Sequence, residues 1–153
     1  MSDDRVLIHA TCVALAEHGV LIMGPPGSGK SDLALRLIDC GGRGLGGEPV
    51  AARLVSDDQT LVMRRGGRLF GSPPETIAGK LEIRGLGIVA LPYLSDCILA
   101  LAVSLDPAAR IERMPGERRF ELIGVAIPEV SIDAATPSAP ARIRAALRHL
   151  VSQ

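Results

Sequence analysis

At 153 residues, with 17 basic and 17 acidic side chains in balance and no long run of one sign, the chain suits a single domain over 1–153 and lacks the basic footprint of a nucleic-acid binder. Hydrophobic residues reach 47% but aromatics only 2%, so aliphatic side chains must fill the core, and three cysteines without a CxxC pair suggest neither a disulfide framework nor a zinc site. Met1–Arg5 starts too acidic for a signal peptide and no segment has the roughly 20 apolar residues of a membrane span, so a cytoplasmic protein without membrane partners is expected.

In chain order, Val6 to Leu15 is largely apolar and strand-like, interrupted by His9 and Thr11, with a turn at His18-Gly19 before a second strand over Val20–Met23. A glycine- and proline-rich loop over 24–31 precedes a helix over Asp32–Asp39, whose apolar residues at 33, 35, 37 and 38 follow helical spacing, and Gly41 and Gly42 end it. Residues 41–49 form a loop, Val50–Val55 a strand ending at Ser56-Asp57-Asp58, and Thr60–Met63 continues in strand character. Gly66-Gly67 signals a two-residue hairpin. Leu81–Leu91 is apolar with two internal glycines, Cys97–Leu105 suits a buried strand, and 106–117 is turn-rich. Arg119–Ile132 is strand-like, and the Ala/Arg/Leu content of Ala141–Val151 favours a terminal helix. The fold class is α/β: a mixed β-sheet core containing a phosphate loop, with one helix after that loop and one at the C-terminus.

Gly24-Pro25-Pro26-Gly27-Ser28-Gly29-Lys30-Ser31 matches G-x-x-x-x-G-K-[ST] at every fixed position, between an apolar strand and an amphipathic helix. Glycines let the backbone curl so that successive N–H groups face phosphate oxygens, and the helix N-terminus adds partial positive charge. In that pattern Lys30 reaches the β- and γ-phosphates of ATP, while the Ser31 hydroxyl ligates Mg²⁺. Nucleotide binding is the firmest inference.

Asp57 and Asp58 follow a strand, where phosphate-loop enzymes place a metal-linked carboxylate. The pair reads as a metal site or as a base beside a metal ligand, and a solvated turn is the alternative. If both faced one cleft, mutual repulsion would raise one pKa toward that of a useful general base. Glu82 and Arg84 interrupt an apolar run, and strand alternation would put them on one face. Glu82 could then hold Mg²⁺ while Arg84, Gly85 and Gly87 line the substrate or phosphate path; an edge strand with one polar face is the alternative. His9, in an apolar strand, reads on its own as a hydrogen-bonded core histidine. The arginines of 110–119 sit in a polar loop where one could reach phosphate.

Taken in order, LIHATCVAL, GPPGSGKS, LVSDD, LEIRGLGI and IERMP, spanning about residues 6–133, resemble the catalytic domain of the HPr kinase/phosphorylase family. LEIRGLGI is the most specific of these. The resemblance implies phosphorylation of a serine of HPr, the phosphocarrier of the sugar phosphotransferase system, and in many members removal of that phosphate with inorganic phosphate. It also implies roles: His9, Lys30, Asp58 and Arg113 catalytic, with Asp58 the base and Arg113 near the transferring phosphate, and Ser31 and Glu82 at the Mg²⁺. The residues themselves do not choose between Asp57 and Asp58 as the base.

Three departures stand out. The family's N-terminal regulatory domain is missing, implying a catalytic domain standing alone, Pro26 replaces a serine, and the stretch after Val89 lacks a longer glycine-containing loop. Where the family carries a segment tied to phosphorolysis the chain reads Ala134-Ala-Thr-Pro-Ser138, so the kinase direction is the firmer expectation. The resemblance implies a hexamer. The competing readings are a small-molecule nucleotide kinase, which usually needs a longer chain with a lid, and a non-catalytic nucleotide sensor.

Overall fold

The computed structural model describes residues 4–151; the start of the acidic stretch, residues 1–3, lies outside them. Among the described residues a nine-stranded mixed sheet runs in the order β1 (Arg5–Ile8), β5 (Thr60–Arg65), β6 (Arg68–Ser72), β9 (Cys97–Leu105), β3 (His18–Met23), β2 (Ala10–Leu15), β4 (Ala52–Ser56). β11 (Val125–Ile132) joins β9 in parallel through its second half and pairs with β10 (Arg119–Leu122) through its first. A separate hairpin of β7 (Lys80–Ile83) and β8 (Gly87–Ala90) stands apart, and the helices are α1 (Lys30–Asp39) and α2 (Ala139–Ala146), the latter continuing into a π-helical turn, Leu147–Val151.

β2 is buried along its whole length because both faces are covered, so it reads as an apolar run broken only by Thr11 rather than as an alternating one. Its odd and even residues feed different cores. Val13 and Leu15 join Val20, Ile22, Leu33, Leu37 and Ile143 under the helices, while Cys12 and Ala14 join Leu21, Val62, Leu69 and Leu99 on the opposite face.

The expected sheet with two helices is present, with local corrections. The segment 6–15 is two strands, broken at His9, which is exposed at the bend and not a core residue. The turn expected at His18-Gly19 lies two residues earlier, where Ala16 takes φ 54°, and both residues belong to β3. Leu81–Leu91 and Arg119–Ile132 are each hairpins, the second folded at Ile123-Gly124. The final helix begins at Ala139 and is α-helical only to Ala146.

The topology gathers one edge. β3 and β4 are both antiparallel to β2, and β9 and β11 are parallel to β3 and to each other, so the C-terminal ends of all four point the same way. The loops 24–29, 57–59, 106–118 and 133–138 therefore leave from that edge, as ligand-bearing loops do in open α/β sheets. Register puts the starts of β2 and β5 there too, through Ala10 opposite Met23 and Thr60 opposite Ile8, and His9 with them.

Candidate active site

The glycine-rich loop joins β3 to α1, and Gly29 caps the helix in the left-handed region at φ 101°, where a side chain would be strained and a Cβ would meet Ala134 at 3.1 Å. Lys30 opens the helix, is 8% exposed, and folds back so that Nζ donates to the carbonyls of Gly24 at 2.7 Å and Pro25 at 3.1 Å. The Ser28 hydroxyl is buried without a partner.

Asp57 organises the rest. It is 7% exposed; Oδ1 accepts the Ser31 hydroxyl at 2.6 Å and the Thr11 hydroxyl at 3.1 Å, and Oδ2 accepts the Glu82 N–H at 3.1 Å. One carboxylate thus joins the first turn of α1, the start of β2 and the β7–β8 hairpin. A bulge helps to place it, since an extra residue at Val55 of β4 sits opposite Cys12 and Val13 of β2.

Asp58 has a different environment. It is exposed, at φ 70°, in the middle of a three-residue turn closed by the Gln59 N–H donating to the Asp57 carbonyl at 2.8 Å. Such a positive φ is costly for most side chains and tends to persist where surrounding bonds over-determine it. Here the Asp58 N–H donates to Thr11 Oγ1 at 3.0 Å, the Ser56 hydroxyl bonds the Gln59 carbonyl, and the Thr60 hydroxyl donates to the Ala10 carbonyl at 2.8 Å. The two aspartates, read together from sequence, are split into one buried acceptor and one exposed carboxylate.

Asp57, Asp58 and Glu82 share a cleft of about 160 Å³ with Gln59, Ile77, Lys80 and Ile88. Glu82 is exposed on β7, but Arg84 lies in the turn beyond it and not on the same strand face. That turn reverses over Arg84-Gly85-Leu86, with Gly85 at φ 93°, Gly87 at φ 100° and the Leu86 N–H on the Ile83 carbonyl at 2.9 Å. Leu86 in the turn and Ile88 on β8 are 76% and 71% exposed. Arg113 is exposed in the loop leaving the C-terminal end of β9 and makes no hydrogen bond or ion pair with the described residues. Among the described residues no three His, Cys, Asp or Glu side chains converge as a metal cluster.

Thr11 and Lys80 are site residues that sequence reasoning did not single out. Thr11 left one trace in the sequence, a polar residue interrupting an apolar run, and the structure buries its hydroxyl completely.

The chain is similar to proteins described as HPr kinase/phosphorylase: 43% identical over 120 residues to one from Brevibacillus brevis, and 33% over 145 residues to one from Lactiplantibacillus plantarum, covering 77% and 87% of this chain. It spans only 35% and 43% of the length of those relatives. A solved structure, the HPr(Ser) kinase/phosphatase from Coxiella burnetii, superposes with a TM-score of 0.77 at 27% identity, covering 94% of this chain and 95% of that one. The family model described as the HPr Serine kinase C-terminal domain matches residues 2–146, and the chain belongs to that family.

Proposed function

We propose that this chain is the catalytic unit of an ATP- and Mg²⁺-dependent kinase that phosphorylates a serine of HPr. The observation that carries the reading is the Ser31–Asp57 bond at 2.6 Å, which brings the glycine-rich loop, the end of β4 and, through the Glu82 N–H, the LEIRGLGI hairpin to one edge of the sheet.

The glycine-rich loop, Gly24 to Ser31, would cradle the ATP phosphates. Lys30 would leave the loop carbonyls for phosphate oxygens, and the orphaned Ser28 hydroxyl would gain an acceptor. Ser31, Asp57 and Glu82 offer hard oxygens, a donor set suited to Mg²⁺ when phosphates and water complete its shell. The ion, when bound, neutralises charge on the transferring group. Asp58, exposed beside this set, is the base that takes the serine proton, while buried Asp57 is occupied by its three donors. His9 shares the edge as a further catalytic group, and Arg113, on the loop after β9, has a guanidinium free to meet the γ-phosphate. Arg84, Gly85 and Gly87 form the rim along which the substrate approaches.

In this reading the kinase works in the cytoplasm, and a hexamer is its expected assembly. No helix among the described residues is long and apolar enough to cross a membrane. The segment after β11 lies against the glycine loop at Ala134, so the reverse phosphorolysis, if retained, would be governed there.

Incubation of the protein with labelled ATP, Mg²⁺ and either HPr or nucleoside monophosphates tests this reading. Label on HPr supports it. Label on the monophosphates alone assigns a small-molecule kinase, and ATP binding without transfer to any acceptor assigns a sensor.

A further inference from the structure

A cavity of about 320 Å³ lies between the C-terminal end of α1, the loop that follows it and the first turn of α2. A ten-residue helix is about 15 Å long, so much of α1 separates the cavity from Lys30. Its charged walls are Arg36, Arg43 and Arg144, with no carboxylate among the lining residues. Pro137, Pro140 and Ala141 supply carbon surface.

Arg144 is 5% exposed. One terminal nitrogen donates to the Leu37 carbonyl at 3.2 Å and the Val50 carbonyl at 2.9 Å, fastening α2 to the end of α1. That structural role uses one of three guanidinium nitrogens. Nε is enclosed with no partner, and no carboxylate of the described residues pairs with the group. Burial lowers its pKa, with the nearby Cys40 thiol opposing the shift, as expected of a cation drawn out of water. Arg36 donates Nε to the exposed Asp32 and one terminal nitrogen to the Ala134 carbonyl at 2.5 Å, and Arg43 is exposed.

We propose that this cavity binds a small organic anion, a phosphate or carboxylate head on an apolar body, with the head among the three arginines and the body on Pro137, Pro140 and Ala141. The volume is at the lower bound for small-molecule sites and larger than a bare oxyanion needs, and mostly apolar walls with a few charged groups suit such a ligand. This assignment is independent of the proposed kinase activity.

Cys40 provides the test, because it is exposed and lines the cavity while Cys12 and Cys97 are buried. Alkylation by neutral iodoacetamide would be followed at each cysteine by mass spectrometry, with phenyl phosphate, inorganic phosphate or benzyl alcohol present. The expected result is a severalfold, saturable slowing at Cys40 by phenyl phosphate, weaker slowing by inorganic phosphate and none by the alcohol. Protection should persist in Lys30→Ala, which disables the glycine loop, and be lost in Arg43→Glu, which changes an exposed side chain without touching the Arg144 contacts. Unchanged alkylation, protection by the neutral alcohol, or protection that survives in Arg43→Glu overturns the anion site; equal protection by both phosphates overturns the role given to the apolar wall.

Discussion

Ser31 donates its hydroxyl to Asp57 Oδ1 across 2.6 Å, joining the first residues of α1 to the residue that follows β4. Both oxygens belong to the proposed Mg²⁺ set. Ser31→Ala should therefore raise the Mg²⁺ concentration needed for half-maximal transfer by about tenfold, the worth of roughly one ion contact near 1.4 kcal/mol. Asp57→Asn should be more severe, because its amide would face hydroxyl and N–H donors and leave buried groups unpaired, at a stability cost of about 1–3 kcal/mol. Initial rates across a Mg²⁺ titration, with urea denaturation of each variant, check both.

Thr11 is a positioning residue in this account. Its hydroxyl donates to Asp57 and accepts the Asp58 N–H, so one side chain aligns both carboxylates. Thr11→Val keeps the shape but orphans the Asp58 N–H and should lower kcat more than it raises KM for ATP, with a stability loss of about 1–3 kcal/mol. Thr11→Ser should restore kcat, because it returns the hydroxyl, even though it leaves a methyl-sized gap. A Thr11→Val enzyme with unchanged kcat would remove Thr11 from the site.

Asp58 offers a cleaner separation of chemistry from folding. Asn tolerates the left-handed conformation as Asp does, so Asp58→Asn should leave stability within about 0.5 kcal/mol of wild type. Loss of the base should still lower transfer to HPr by about 10²–10⁴-fold. Thermal unfolding and single-turnover rates on the same preparation decide it; full activity in Asp58→Asn would return the choice of base to Asp57.

The buried thiol of Cys12 lies 3.9 Å from that of Cys97, and their contact, followed by burial, pushes the Cys12 pKa well above the ordinary thiol value. With rising pH the unfolded chain loses this proton first, so the native state binds more protons and stability declines. The thiol's contribution is fully present below the unfolded-state pKa of about 8.5 and falls away as pH climbs above it. Denaturation midpoints should drop between neutral and alkaline pH with a slope that is shallower in Cys12→Ala, whatever the offset from its smaller side chain.

Some of this molecule could be read directly from its residues. The β9 strand was legible end to end because nine apolar or small residues are bounded by Asp96 and Asp106, and Gly66-Gly67 announced a hairpin whose two residues take φ 58° and 78°. The glycine loop was legible because its chemistry depends on fixed local spacing. Turns at Ala16 and Ile123 were hidden, since neither residue favours the positive φ that tertiary packing imposes on it. The centre of the site was hidden for another reason: Thr11 and Asp57 are 46 residues apart, and the strand pairing that joins them leaves no local pattern. His9 was misplaced because an apolar run conceals a bend between two strands that pair with different partners.

The most direct test of the account is transfer of labelled γ-phosphate from ATP and Mg²⁺ to HPr, compared with HPr whose target serine is replaced by alanine. The account predicts label on the wild-type phosphocarrier alone. Equal label on both forms, or none on either while the protein still binds ATP, would contradict it.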